Sequence, residues 1–148
     1  MIQRVQTIFL FFAVVTVLLQ VFFPVLSATP SVPGSLYQDG LLFMRENTPA
    51  LILLLIYGVL ALVAIFMFKN HKLQIQLIIG AILVLIICLA VSLFAFYTTT
   101  QTIYASKQAA LSPQLGGIMP VIGFGFLALA LRYVKKDQKI IKSMDRLR

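Results

Sequence analysis

The stretch IQLIIGAILVLIICLAVSLFAFY, residues 75–97, decides the architecture of this chain. Between Ile75 and Phe96 it holds fifteen Leu, Ile, Val or Phe and no charged side chain. The hydrocarbon core of a bilayer is about 30 Å thick, and a helix crosses it with about 20 apolar residues. At about −0.5 kcal/mol for each large apolar residue, insertion of this stretch gains about 7 kcal/mol, more than twice the cost of a lone central lysine. Gln76 and Ser92 do not offset that gain.

Three further stretches meet the same test: about 8–26, 49–68 and 117–134. Pro49 suits the first turn of a helix, where its missing N–H costs nothing. None of the four stretches contains Asp, Glu, Lys or His, and Arg132 stands at the end of the last. Hydrophobic residues make up 61% of the 148-residue chain and charged residues 11%. A soluble fold has about 45–50% apolar and about 25% charged residues, so this chain could not cover its surface with polar groups. The expected fold is an all-α membrane protein. It is one domain, residues 1–148, built as a four-transmembrane-helix bundle with a basic amphipathic C-terminal tail helix. The first stretch, preceded by Arg4 and followed by Ser27 and Ala28, has some marks of a signal peptide. Its apolar run exceeds the roughly 7–15 residues of such a peptide, so a retained helix is expected.

Charge placement gives the expected orientation. The net charge is +8, and lysine and arginine collect on the cytoplasmic side of short-looped membrane proteins. Arg4, Lys69, Lys72 and the seven basic residues from Arg132 onward fall on one side, leaving Arg45 and Lys107 on the other. Both termini are therefore expected in the cytoplasm. The short turn KNHKLQ should pair the second and third spans as an antiparallel hairpin. In the first outer loop, Asp39-Gly40 is a hairpin signal. In the second, a short helix is expected around Tyr104 to Leu111.

Three segments carry a resemblance: MIQRVQTIFL at the start, FKNHKLQIQL at the basic turn and VKKDQKIIKSMDRLR at the end. Together with the four-span layout they make the chain similar, over nearly its whole length, to a family of small inner-membrane proteins from Bacteroidota. That family is classed as a domain of unknown function, number 4293. His71 departs from it, standing where Arg or Lys is the expected residue. The resemblance implies an inner-membrane location. It implies no activity and transfers no functional residue.

The residues point away from chemistry. Acid–base catalysis needs a histidine or paired carboxylates within reach of a substrate. His71 is the sole histidine, and the acids Asp39, Glu46, Asp137 and Asp145 are scattered among basic and polar neighbours. No ligand cluster suggests a metal, and none of the spans carries the buried acid of an ion-coupled transporter. No catalytic residue, cofactor or metal is expected. Cys88 is the sole cysteine, read as a packing residue, which excludes an internal disulfide. GGIMPVIGFGF, at the start of the fourth span, reads as a small-residue packing face with a proline kink rather than an unwound binding helix.

Binding features remain. Gly58, Ala61 and Ala64, then Gly80, Cys88, Ser92 and Ala95, then Gly123, Gly125 and Ala128, form small-residue faces that let helices approach closely. Such faces pack a bundle or receive another subunit. In the tail, Ile140, Ile141, Met144 and Leu147 make one apolar stripe on a basic helix. Lys135, Lys136, Lys139, Lys142, Arg146 and Arg148 are the candidate residues for binding anionic lipid or a protein partner. No stacking aromatics accompany them, so nucleic acid is not expected. The expected partners are the lipid bilayer and other membrane protein subunits. Two roles follow: a non-enzymatic accessory or scaffold subunit, or a carrier or channel for a neutral or lipid-like small molecule. The second requires a cavity near Gln20, Tyr57, Ser92 and Pro120.

Overall fold

The computed structural model describes residues 3–29, 41–68, 70–106 and 110–145. Four helices, α1 (Gln3–Phe22), α2 (Thr48–Phe66), α3 (His71–Ser106) and α4 (Met119–Asp145), are each long and apolar enough to cross a membrane. α1 neighbours α2 and α4, and α3 neighbours the same two, so the helices form a square in chain order.

Each helix buries one seam that steps alternately by three and four residues. In α1 the seam is Gln6, Leu10, Ala13, Val17 and Gln20. In α2 it is Ala50, Leu54, Tyr57, Ala61 and Ala64, and in α3 Gln74, Ile78, Ala81, Leu85 and Cys88. In α4 it is Gly123, Leu127, Ala130, Val134 and Asp137. An average step of 3.5 residues keeps such a seam facing its neighbours along the whole contact. The outer faces are apolar too: Phe11, Phe22, Phe66 and Phe94 are all more than half exposed. A helix that is apolar all round suits lipid rather than water.

Small residues decide the close contacts. A Cβ on Gly123 would meet Thr16 Oγ1 at 2.8 Å and the Tyr57 hydroxyl at 2.9 Å. The Tyr57 hydroxyl donates to the Ala13 carbonyl at 2.9 Å and lies 3.3 Å from Thr16 Oγ1. Phe9 stacks on Tyr133 with ring centroids 5.4 Å apart, and Phe12 on Phe126 at the same distance. These contacts set the antiparallel register of α1 against α4.

The hairpin of α2 and α3 is present. Asn70 caps α3, its side-chain oxygen accepting from the Leu73 N–H at 3.3 Å. Lys69, within the expected turn, lies outside the described residues.

Elsewhere the elements differ from expectation. α3 runs without interruption through Thr98–Thr100 to Ser106, so no separate helix begins at Tyr104. No glycine or proline breaks it there, and Thr98 satisfies its own hydroxyl on the Ala95 carbonyl at 3.0 Å. Residues 110 and 111, expected at the end of that helix, are extended. β1 (Leu26–Thr29), β2 (Leu41–Leu42) and β3 (Ala110–Pro113) make a small antiparallel sheet in the order β2-β1-β3. Leu41 pairs with Ser27, so this ladder closes across residues 30–40 rather than at a two-residue turn. Asp39 and Gly40 lie outside the described residues. Pro120 falls in the first turn of α4, where no intrahelical bond is lost, and the helix is assigned without a break from Met119 to Asp145. The same helix continues through Asp145, so span and tail are one rod.

Gly123→Ala is expected to destabilise the bundle by about 1–3 kcal/mol by driving Tyr57 off the Ala13 carbonyl. Gly125→Ala, whose added Cβ meets nothing within 4 Å, should change stability by less than about 0.5 kcal/mol. Thermal melts of the two variants in detergent compare them directly. Equal melting temperatures would remove the close-packing account of Gly123.

Candidate functional site

α2 is shorter than α3, and a cavity follows from the difference. The Cys88 thiol reaches the Ala50 carbonyl at 3.4 Å, which sets the start of α2 level with Cys88. α3 continues past that level to Ser106. Beside the continuing helix, no fourth helix stands among the described residues. Its place is taken by a 3-10 turn, Met44–Glu46, and the edge strand β2. Short irregular segments fill a helix-sized groove poorly.

The resulting space is a cavity of about 570 Å³ at the sheet end of the bundle. Binding pockets for small molecules occupy roughly 300–1,000 Å³. α3 contributes Leu89, Ser92, Leu93, Ala95 and Phe96 to the wall. The turn before α2 contributes Phe43, Met44 and Asn47, and the approach to α4 contributes Leu115, Gly116, Ile118 and Pro120. No charged side chain is among the lining residues.

The rim is held closed by backbone bonds. The Val25 N–H donates to the Leu42 carbonyl at 2.7 Å, and the Gly116 N–H to the Pro24 carbonyl at 2.9 Å. Gly116 permits that approach, because a Cβ there would come within 2.5 Å of the Pro24 oxygen. The sheet therefore ties the segments after α1, before α2 and before α4 into one cap.

Most polar groups in the wall are already committed to the chain. Ser92 donates to the Cys88 carbonyl at 2.6 Å. The Asn47 side chain accepts from the Ala50 N–H at 3.3 Å, and Gln114 donates to the Ser27 hydroxyl at 2.9 Å. Gln20 differs. It is 1% exposed, and its Nε2 has no hydrogen-bond partner. The cavity thus combines an apolar wall with a buried, uncommitted amide donor at Gln20. That is the chemistry for an apolar molecule carrying a hydrogen-bond acceptor.

Three of the four residues around which the sequence suggested a cavity, Gln20, Ser92 and Pro120, do line it. Tyr57 does not; it is spent on Ala13 and Thr16 in the packed middle of the bundle. The loop residues around Val25, Phe43 and Leu115 carried no sequence signal, since their approach depends on strand pairing between distant segments.

The small-residue face of α2 is used within the chain, whereas Gly125 and Ala128 on α4 are exposed. Gly58, Ala61 and Ala64 are buried, Gly58 lying against Val17. The candidate basic residues stand at the opposite end of the molecule. Lys135, Lys136 and Lys139 are exposed on α4, and Lys142 lies on the same helix. Arg146 and Arg148 lie outside the described residues. Of the apolar tail stripe, Ile140 and Ile141 are exposed, away from the core.

Asp137 departs from the sequence reading. Its neighbours in sequence are basic and polar, yet it is buried in the α4 seam. Its position three residues after Val134 and seven after Ala130 is the signal that could have revealed this.

Comparison with curated proteins and with solved structures yields no match. The family described as Domain of unknown function (DUF4293) matches residues 2–147, and the chain belongs to that family.

Proposed function

We propose that this chain is a non-enzymatic integral membrane protein that binds a neutral, lipid-like molecule in the cavity at its sheet end. The cavity carries the reading: about 570 Å³, with no charged side chain among its described lining residues and a buried free donor at Gln20. A ligand of this class has an apolar body and a carbonyl, ester or ether oxygen to accept from Gln20 Nε2. The exposed apolar helix faces support a location in lipid, from which such a molecule could partition directly.

In this reading both termini are cytoplasmic and the sheet end faces outward, in a bacterial inner membrane. The support is the excess of basic residues at the termini end. The accessory-subunit reading has less behind it, because Gly58, Ala61, Ala64, Cys88 and Gly123 pack inside the chain, though Gly125 and Ala128 stay exposed. It keeps the exposed lysines of α4, which suit anionic lipid or an acidic partner.

Two experiments test these statements. The protein, purified from its native membrane in mild detergent, is expected to release a stoichiometric neutral lipid on extraction and mass spectrometry. Ala95→Trp, which fills the cavity, should release none. Gln20→Leu, which keeps the volume and removes the donor, should retain roughly tenfold less under matched washing. Equal retention by all three proteins would end the cavity reading.

Orientation is tested in a Cys88→Ala background with single cysteines at Ser112 or Ser143, both exposed. A membrane-impermeant maleimide applied to intact cells is expected to label the Ser112→Cys protein and spare Ser143→Cys. The reverse pattern would invert the topology.

A further inference from the structure

The end of the bundle opposite the cavity carries a second polar layer, built from the last seam residue of three helices. Gln6 of α1 and Gln74 of α3 are 0% exposed, and Asp137 of α4 is 6% exposed. All three continue seams that face the interior, so all three project inward. The seam of α2 ends at Ala64, whose carbonyl accepts from Gln74 Nε2 at 3.1 Å.

The packing register brings these positions to one end. The Phe9–Tyr133 stack puts Gln6, one turn before Phe9, beside the turn of α4 that bears Asp137. The Tyr57–Ala13 bond sets α2 against α1, so Ala64, and with it Gln74, falls near the level of Gln6.

Much of this layer has no partner. Both amide atoms of Gln6, the oxygen of Gln74 and both carboxylate oxygens of Asp137 are buried without a hydrogen bond. His71 Nε2, in the first turn of α3, is also buried and unpartnered. Lys72 on α3 and Lys135, Lys136 and Lys139 on α4 are exposed, and none of them bonds Asp137. An uncompensated buried charge costs several kcal/mol, and each unpaired buried amide about 1–3 kcal/mol. Buried polar groups of this kind mark a site for something the protein holds.

We propose that Asp137, Gln6 and Gln74 form a binding site for a small monovalent cation coordinated by oxygen. The free groups are mostly acceptors: two carboxylate oxygens and two amide oxygens, against the Gln6 amide N–H₂ and one ring nitrogen. One carboxylate balances one positive charge. A divalent ion would leave a surplus charge in a dry layer, and calcium takes about 6–8 oxygens. A bound cation ties the ends of α1, α3 and α4 together and removes the cost of the buried carboxylate. The site shares no residue with the lipid cavity and does not depend on it.

Sodium is the probe. The full-length chain in mild detergent is melted across a sodium chloride series, with choline chloride holding ionic strength constant. A saturable rise of roughly 5 °C over choline is expected. Asp137→Asn, which removes the charge and keeps the shape, should lose the rise, and Gln74→Leu should reduce it. Identical wild-type curves in sodium, potassium and choline would overturn the proposal. A full rise retained by Asp137→Asn would overturn it equally. If neither variant folds, the wild-type series decides alone.

Discussion

The hydroxyl of Tyr57 fixes how three helices meet. It donates to the Ala13 carbonyl, lies beside Thr16 Oγ1 and occupies the space that Gly123 leaves open. Helices that are apolar on every face gain little from burying one apolar surface rather than another when lipid surrounds them. Close packing of small residues and hydrogen bonds between helices then select the partner face. The Tyr57 contact does both, and it sits midway along the α2 seam. Once it is made, the register of α1 against α2 and α4 is set, and with it the composition of both ends of the bundle.

The two ends then differ for a length reason. α2 has 19 residues and α3 has 36, or about 28 Å against about 54 Å of helix. At the termini end, α2 and α3 are joined by a short turn and stay level. The whole mismatch therefore appears at the sheet end, where α3 runs on beside loops and strands. The cavity lies in that mismatch, and the three-stranded sheet satisfies the backbone groups of the segments that cap it. At the termini end, three helices bury polar side chains in their seams, and Gln74 alone of these finds a carbonyl. Polar groups thus stand at both ends of a core whose middle holds only the Tyr57 and Thr16 hydroxyls.

Four apolar helices were legible because each stretch is long and free of Asp, Glu, Lys and His; the far end of α3 was not, because no charge, proline or glycine follows Tyr97 to stop it before Ser106. The α2–α3 hairpin was legible from the brevity of KNHKLQ. Part of the cavity was legible as well: Gln20, Ser92 and Pro120 are the polar or helix-breaking residues of otherwise apolar stretches. The strands were not. Leu26–Thr29, Leu41–Leu42 and Ala110–Pro113 are short, and their pairing joins segments some eighty residues apart. Residues 104–111 read locally as helix; β3 wins at Ala110 and Leu111 because β1 is there to pair with.

By itself the sequence determined the number of long apolar helices, their order and the asymmetric placement of basic charge. Those properties depend on composition along the chain. Only the tertiary structure decided which faces of α1, α2 and α3 are inside, because hydrophobicity is nearly uniform around them and close contacts at Tyr57, Gly123 and Gly58 make the choice. That choice buries Asp137 with Gln6 and Gln74, although its neighbours in sequence are lysines. It also leaves the helices unequal beside the cavity: Asn47 and Pro49 start α2 locally, but only packing sets that start level with Cys88, partway along α3.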